Sequence, residues 1–461
     1  MTNPINHAAR ATPDFRAPRA PGALRLPGLL ALALAMASAT AAPGQAVVIR
    51  AGHLVDVDAG RVLNDQAIRI EGERITRVEP YSTATTGDAR VIDWSGYTVL
   101  PGLVDLHTHL VGDIQSDNVA APLMSTSARD ALVGVRNARD TLRAGFTTVR
   151  DVGTYRAFTD VALRNAINEG IVEGPRMFVA GTYVTVSQGG GEVTGLAPDV
   201  QVPADMRRGV ANSEAEIRQR VRELIAGGAD FIKLIATGAV LASGTEPGAP
   251  EYSEAEIRAA VEEAALHGTF VVAHAHGAEG IKRAVRAGVR SIEHGSYLDD
   301  EGIALMKKHG TWLVADVYNG DYIEEIGRRD GWPEEILRKN TETTQTQRDG
   351  FAKAVKAGVR IGFGTDSGVY PHGQNARQFA YMVRNGQTPM QAIGSATISA
   401  AKSLGRDAQF GSVAAGKSAD LVAVAGDPLA DIEVLRRVEA VMARGRLVCA
   451  APDDSCNKPA R

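Results

Sequence analysis

LPGLVDLHTHL, Leu100 to Leu110, decides how this chain is read. Its apolar run, Val99 to Leu106, ends in His107-Thr108-His109. Residues two apart on a strand face the same way, so both imidazoles project from one side of a strand end. Two such rings can share one metal ion, with nitrogens about 2.0 Å from zinc. A lone pair fits solvated or core histidines equally well. The metal reading therefore requires other strands to deliver further ligands to the same end.

On either side of this stretch the hydrophobic period changes. Residues 46 to 98 alternate in short runs (AVVIRAGHLVDV, QAIRIEG, ERITRVEP, RVIDWSG), and residues 409 to 448 do the same. Period-two runs broken by glycine and charge read as short strands with tight turns. Each half is too short to bury a core alone, so the two ends are expected to form one small β-sandwich domain. Between them, apolar strands alternate with amphipathic helices over 128–143, 158–169, 213–226, 253–266, 278–286, 299–308 and 345–357, with a charged helical insertion at 320–340. AGFTTVRDVG, GGADFIKLIATG, AGVRSIEHG and AGVRIGFGTDSG form a degenerate repeat: a glycine that can end a helix, an apolar strand, then a polar residue and glycine. Eight strand–helix units predict an α/β fold, a (β/α)8 TIM-like barrel. The expected domains are 43–100 and 405–448 for the β module and 101–404 for the barrel, with a tail at 449–461. An open doubly wound sheet would gather its site at a strand-order reversal and needs no polar ends on so many strands.

Composition narrows the function. The chain has 461 residues, 44% hydrophobic and 23% charged, with a formal net charge of -4. No basic tract interleaved with aromatics follows the N-terminus, so nucleic acid is not an expected partner. Residues 1–42 carry Arg10, Arg16, Arg19 and Arg25, then the apolar LPGLLALALAMA and a run of small residues. That is the pattern of a secretory signal, and its apolar run is short for a membrane span. The expected location is exported, periplasmic or secreted, with no membrane contact after cleavage. Cys449 and Cys456 are the only cysteines; a disulfide and two free thiols both remain open. GSVAAGKS, Gly411 to Ser418, satisfies the P-loop pattern, but the apolar ADLVAVAG follows it where that pattern requires a helix. No nucleotide is expected there.

In a closed barrel all strand C-terminal ends open into one bowl. The polar residues at those ends are His107, His109, Asp151, Lys233, His274, His276, His294 and Asp366. Five of the chain's ten histidines fall at these positions. Lys233, in the apolar FIKLIA, faces a cationic bowl, where a charged ammonium is unfavourable. It serves either as a neutral base or, after reaction with carbon dioxide, as a bridging carbamate. Asp151 is expected to orient a neighbour or pair with Arg150. Arg150, Tyr183, Tyr318, Tyr322 and Tyr370 are candidates to bind substrate through a carboxylate or an aryl group.

These motifs together (PGLVDLHTHL, the lysine of FIKLIATG, HAHG, SIEHG and GTDSG) resemble the metal-dependent amidohydrolase superfamily over roughly residues 46–448. The nearest likeness is to the imidazolonepropionase-related branch described as Xaa-Pro dipeptidase-like or metal-dependent carboxypeptidases, and to ochratoxin-A-hydrolysing amidohydrolases. The resemblance implies two divalent metal ions, Zn2+ expected. His107, His109 and Asp366 would ligate one, and His274 and His294 the other. Carboxylated Lys233 would bridge them, and His276 would be a non-ligand that contacts substrate. It implies Asp366 as the catalytic proton carrier and, as substrate, an N-acyl amino acid or dipeptide with a free C-terminal carboxylate, ochratoxin A plausibly included. Cyclic-amide hydrolysis, lactonase and deaminase activity are the alternatives. A homo-oligomer, up to an octamer, is the implied assembly.

Overall fold

The computed structural model describes residues 46–112, 118, 120–451 and 454–456. The expected signal segment lies outside the described residues.

The first strands are β1 (Val47–Asp56), β2 (Arg61–Glu71), β3 (Arg74–Pro80) and β4 (Arg90–Pro101). The barrel follows: β5 (Leu103–Thr108), β6 (Phe146–Asp151), β7 (Arg176–Val179), the two-residue β8 (Tyr183–Val184), β9 (Ile232–Ile235), β10 (Val271–Ala275), β11 (Ser291–His294), β12 (Trp312–Val314) and β13 (Arg360–Ile361). β14 (Leu421–Val424), β15 (Val438–Ala443) and β16 (Arg446–Ala450) return to the first module. Its order is β16-β15-β14-β4-β1-β2-β3, so both chain ends build one domain. The expected sandwich takes the form of one continuous seven-stranded ladder. Ile49, Ile68, Trp94, Val99 and Leu421 fill its core. The tail does not begin at 449: Cys449 lies in β16 and is bonded to Cys456. GSVAAGKS runs into β14, and Lys417 accepts the Ile75 N–H through its carbonyl, which ties the segment to β3.

β4 passes directly into β5 at Gly102. A Cβ there would sit 2.2 Å from Thr147 Oγ1 and 2.8 Å from Asp420 Cβ, so only glycine permits the junction. The barrel closes through backbone bonds: Leu106 N–H to Phe363 O at 2.9 Å, Asp366 N–H to His107 O at 2.8 Å, and Asp230 N–H to Val179 O at 2.8 Å. These join β13 and its extension to β5, and β7 to the approach to β9. β5, β6 and β9 to β11 are buried at every position, as strands covered on both faces must be. The glycines opening the four repeats, Gly145, Gly228, Gly288 and Gly358, all have left-handed φ, from 77° to 101°, a conformation costly for other residues. Ser213 and Ser253 cap their helices by accepting the N–H three residues on.

One element differs from expectation. The insertion and the last long helix are not separated near 340: a single 24-residue helix runs Glu334–Ala357, after Asn319–Asp330. The polar stretch TETTQTQ, residues 341–347, joins them: Thr343 and Gln347 are buried within it, and packing overrides weak propensity there. Among the described residues no helix is long and apolar enough to cross a membrane.

Candidate metal centre and active site

The strand alternation places His107 and His109 at the mouth of the barrel, and closure brings Asp366 against them. His107 Nε2 lies 3.3 Å and His109 Nε2 3.2 Å from the same Asp366 Oδ1. The other ring nitrogens are held from behind. His107 Nδ1 meets Glu293 Oε2 at 2.9 Å, and His109 Nδ1 meets the Gly153 carbonyl at 2.8 Å. An acceptor behind Nδ1 keeps the proton on that nitrogen and turns the Nε2 lone pair forward.

A second group forms at the ends of β10 and β11. His274 and His294 ring centroids are 4.5 Å apart, and those of His276 and His294 4.7 Å. His294 Nδ1 pairs with Asp316 Oδ1 at 3.0 Å, His276 Nδ1 with Ser296 Oγ at 2.7 Å, and His274 Nε2 with the Gly238 carbonyl at 3.3 Å. His274 thus offers Nδ1, the opposite nitrogen from His107. Three sets bring their ligand atoms within 4.8 Å of one another: His107, His109 and Asp366; His274, His276 and His294; and His294, Asp316 and Asp366. The geometry groups His276 with the other two imidazoles, although the resemblance assigns it no ligand role. His294 and Asp366 have left-handed φ of 66° and 56°. Non-glycine residues held in this region concentrate at functional sites.

Lys233 is buried and faces the same cavity. Among the described residues no hydrogen bond or ion pair engages its Nζ. Burial pulls its pKa down to about 8, with nearby Glu293 and Asp366 opposing. Burial first, then neighbouring imidazoles, holds His274 and His276 well below the usual histidine range; both are neutral, as ligation requires. Burial alone would raise the Asp366 carboxyl, but His107 and His109 hold it well below the carboxylate range. Back-anchored imidazoles, an ionised carboxylate and an unpaired buried amine fit two divalent cations.

Several decisive residues have no role in the sequence reading, Glu293 although it lies inside SIEHG and the others outside every motif. Glu293 is fully buried between Arg150 Nη2, at 2.7 Å, and His107. Asp316 accepts from Gln347 Nε2 at 2.7 Å and Asn319 Nδ2 at 3.1 Å while holding His294. Asn319 also donates to Asp366 Oδ2 at 3.1 Å. The stripe Ile336, Asn340, Thr343 and Gln347 of the long helix lines the cavity. Its helical spacing was the available signal.

The expected substrate residues divide. Tyr183 lines the cavity, its hydroxyl donating to the Gly153 carbonyl at 3.1 Å, with Tyr155 packed against it at 5.8 Å. Arg150 does not face substrate. Its guanidinium is wholly buried on Glu293, Ser291 Oγ and the Leu106 carbonyl; a buried charge needs partners on every side, and here they lie inside the barrel. Tyr370 meets Tyr318 edge-on, with centroids 5.0 Å apart, and Tyr322 at a tilt, with centroids 5.9 Å apart; all three lie outside the described lining. Asp151 does not pair with Arg150. Its Oδ2 accepts the Leu110 N–H at 2.6 Å and so fixes the chain just past His109.

A carboxylate between paired metal ligands at the C-terminal mouth of a closed α/β barrel is the working arrangement of metal-dependent hydrolases, and that is the class this chain falls in. More closely, it belongs to the amidohydrolase family, whose sequence model matches residues 98–448. It is similar to the Aspergillus niger protein named ochratoxinase, 33% identical over 422 residues that cover 86% of this chain and 84% of that one. In structure it is similar to a Xaa-Pro dipeptidase with methionine bound in its active site, at 38% identity and a TM-score of 0.82, over 87% of this chain and 99% of that one. It is also similar to a prolidase complexed with N-methylphosphonate-L-proline, at 33% identity and a TM-score of 0.79, over the same shares. The general activity is metal-dependent hydrolysis of an amide or peptide bond.

Proposed function

We propose that the substrate is an N-acyl amino acid or dipeptide with a free C-terminal carboxylate, and that ochratoxin A is accepted. The observation that carries the proposal is Asp366 Oδ1, within 3.3 Å of both His107 and His109 Nε2 beside the unpaired Lys233 amine. The likeness to ochratoxinase, a Xaa-Pro dipeptidase and a prolidase supports the substrate class.

His107, His109 and Asp366 would hold one divalent cation, zinc by their chemistry, and His274 and His294 the other. When bound, the cations supply a water of lowered pKa and polarise the scissile carbonyl. Asp366 faces the two histidines through Oδ1; its Oδ2, which Asn319 steadies, takes the proton from the attacking water and returns it to the departing amine nitrogen. An amide nitrogen is a poor leaving group without that proton. With the Ser296 hydroxyl donating to its Nδ1, His276 would carry its proton on Nε2 and stabilise charge on the carbonyl oxygen. The Lys233 ammonium gives up one proton to become the amine, and the amine adds carbon dioxide with loss of a second proton to leave a carbamate anion, so the site that must admit two cations loses one of its own. The Cys449–Cys456 disulfide supports work in an oxidising compartment.

The zinc-loaded enzyme should release free amino acid from N-acyl amino acids, dipeptides and ochratoxin A, read by liquid chromatography. Two bound metals per chain with no amide cleaved, but lactones or cyclic amides opened, would overturn this substrate class. Metal loading should need bicarbonate, and Lys233→Met should abolish that need; loading indifferent to bicarbonate in the wild type would count against the carbamate.

A further inference from the structure

Away from the imidazoles, the cavity has an apolar wall. Val240 and Leu241, on the loop after β9, face it together with Ile323, Ile336 and Val369, backed by Trp332. The loop has little regular structure. Thr245 Oγ1 receives the Ala239 N–H at 3.1 Å and donates to the Ala242 carbonyl at 3.0 Å.

The loop is tied to the long helix by an unexpected residue. Lys339 is fully buried, and its Nζ donates to the Ala242 carbonyl at 2.8 Å and pairs with Glu335 Oε1 at 2.6 Å. The same Glu335 oxygen accepts the Gly244 N–H at 2.8 Å. Burying an ammonium is costly, and a methionine would fill the volume without that cost. What the methionine lacks is a donor for a loop carbonyl one residue from Leu241. Ile336, one helical turn before Lys339, meets the cavity directly, so one helix segment supplies part of the wall and holds the remainder.

We infer that Lys339 is a positioning residue that fixes loop 239–245 as the specificity wall, and that this wall selects substrates carrying an uncharged, apolar side chain. The inference rests on the amide-hydrolase reading and names which members of that class are taken.

The test uses the metal-loaded full chain and dipeptides carrying leucine, phenylalanine, glutamate or lysine on each side of the bond. On one side of the bond the wild type should favour leucine or phenylalanine over glutamate by roughly 100-fold in kcat/KM. Lys339→Met should lose about tenfold of that preference through KM, with kcat on the best substrate and metal content kept. Lys339→Arg, which keeps a donor, should recover part of it. If Lys339→Met does not fold, Leu241→Asp reads the wall directly and should shift preference toward lysine. Preference unchanged in the variants that fold, or a loss in Lys339→Met that falls equally on kcat and metal content, overturns the inference. Calorimetry with free leucine and free glutamate separates the two readings. Leucine bound selectively with no amide cleaved removes the hydrolase reading and keeps the wall; amides cleaved without side-chain preference removes the wall.

Discussion

Replacing Glu293 with glutamine tests whether the metal ligands are set from behind. The carboxylate is wholly buried and serves Arg150 Nη2 at 2.7 Å and His107 Nδ1 at 2.9 Å at once. Burial alone would raise its pKa, but the Arg150 charge and the His107 bond hold it well below the carboxylate range. Glutamine keeps the shape and loses the charge. Arg150 then stays buried against a neutral amide, and breaking a buried pair in this way costs about 3–5 kcal/mol. The second effect is chemical. An amide NH2 turned to His107 makes Nδ1 an acceptor, which moves the ring proton to Nε2, the nitrogen that faces Asp366. Loss of an outer partner of this kind lowers metal affinity by about 10–100-fold. Metal content measured against a series of free-zinc buffers gives the second effect, and urea unfolding of the metal-free protein the first. Because the folded pKa is depressed, the stabilisation is present above the unfolded value of about 4.3 and is lost as pH falls through the folded one. The gap between wild type and Glu293→Gln should therefore be full at neutral pH and shrink in acid. Equal zinc affinity in both proteins would refute the tautomer argument, and equal stability of the two metal-free proteins the ion-pair argument.

Asp366→Asn should retain the fold and much of the metal but lose about 10²–10⁴ in turnover, seen by pairing metal analysis with single-substrate kinetics; near-normal turnover would remove the proton-carrier role. Glu251 is pushed up to about 7 by burial, against the Gly190 N–H bond that favours its charged form, so its stabilisation is full below about pH 4.3 and is lost as pH rises through 7. Glu251→Gln should flatten the melting temperature between those limits and raise it at pH 8, measured by calorimetry. Cys456→Ser opens a closed loop with a sequence separation of 7 and should cost roughly 2 kcal/mol in urea unfolding, with kcat/KM unchanged.

How much was legible follows from where each signal lives. His107 and Lys233 lie within short apolar strands, His109 just past one and Asp366 in the extension of the last, so alternation and strand count bring them to one mouth without knowledge of any contact. Glu293 carries no such mark. It adjoins His294, and simple alternation turns neighbours to opposite faces; the left-handed φ of 66° at His294 breaks that rule and lets both serve the site. Asp316, Asn319 and Gln347 depend on how a helix leans across the barrel mouth, which no local period encodes. Tyr318, Tyr322 and Tyr370 were reasonable by position alone, but residues just past a strand can face inward or outward. Here Tyr318 and Tyr322 pack on Tyr370, edge-on and tilted, away from the cavity. Arg150 illustrates the same limit from below: an inward arginine near a strand end sits one layer too deep to touch a ligand.

The seam where the ring shuts has a bearing on how each molecule is made. Leu106 reaches Phe363, and His107 reaches Asp366, across most of the polypeptide. A ribosome must release nearly all of the barrel before the first ion can find its full set of donors. Pairings so distant in sequence form slowly, so during renaturation a zinc-sensitive dye should trail the far-ultraviolet dichroism.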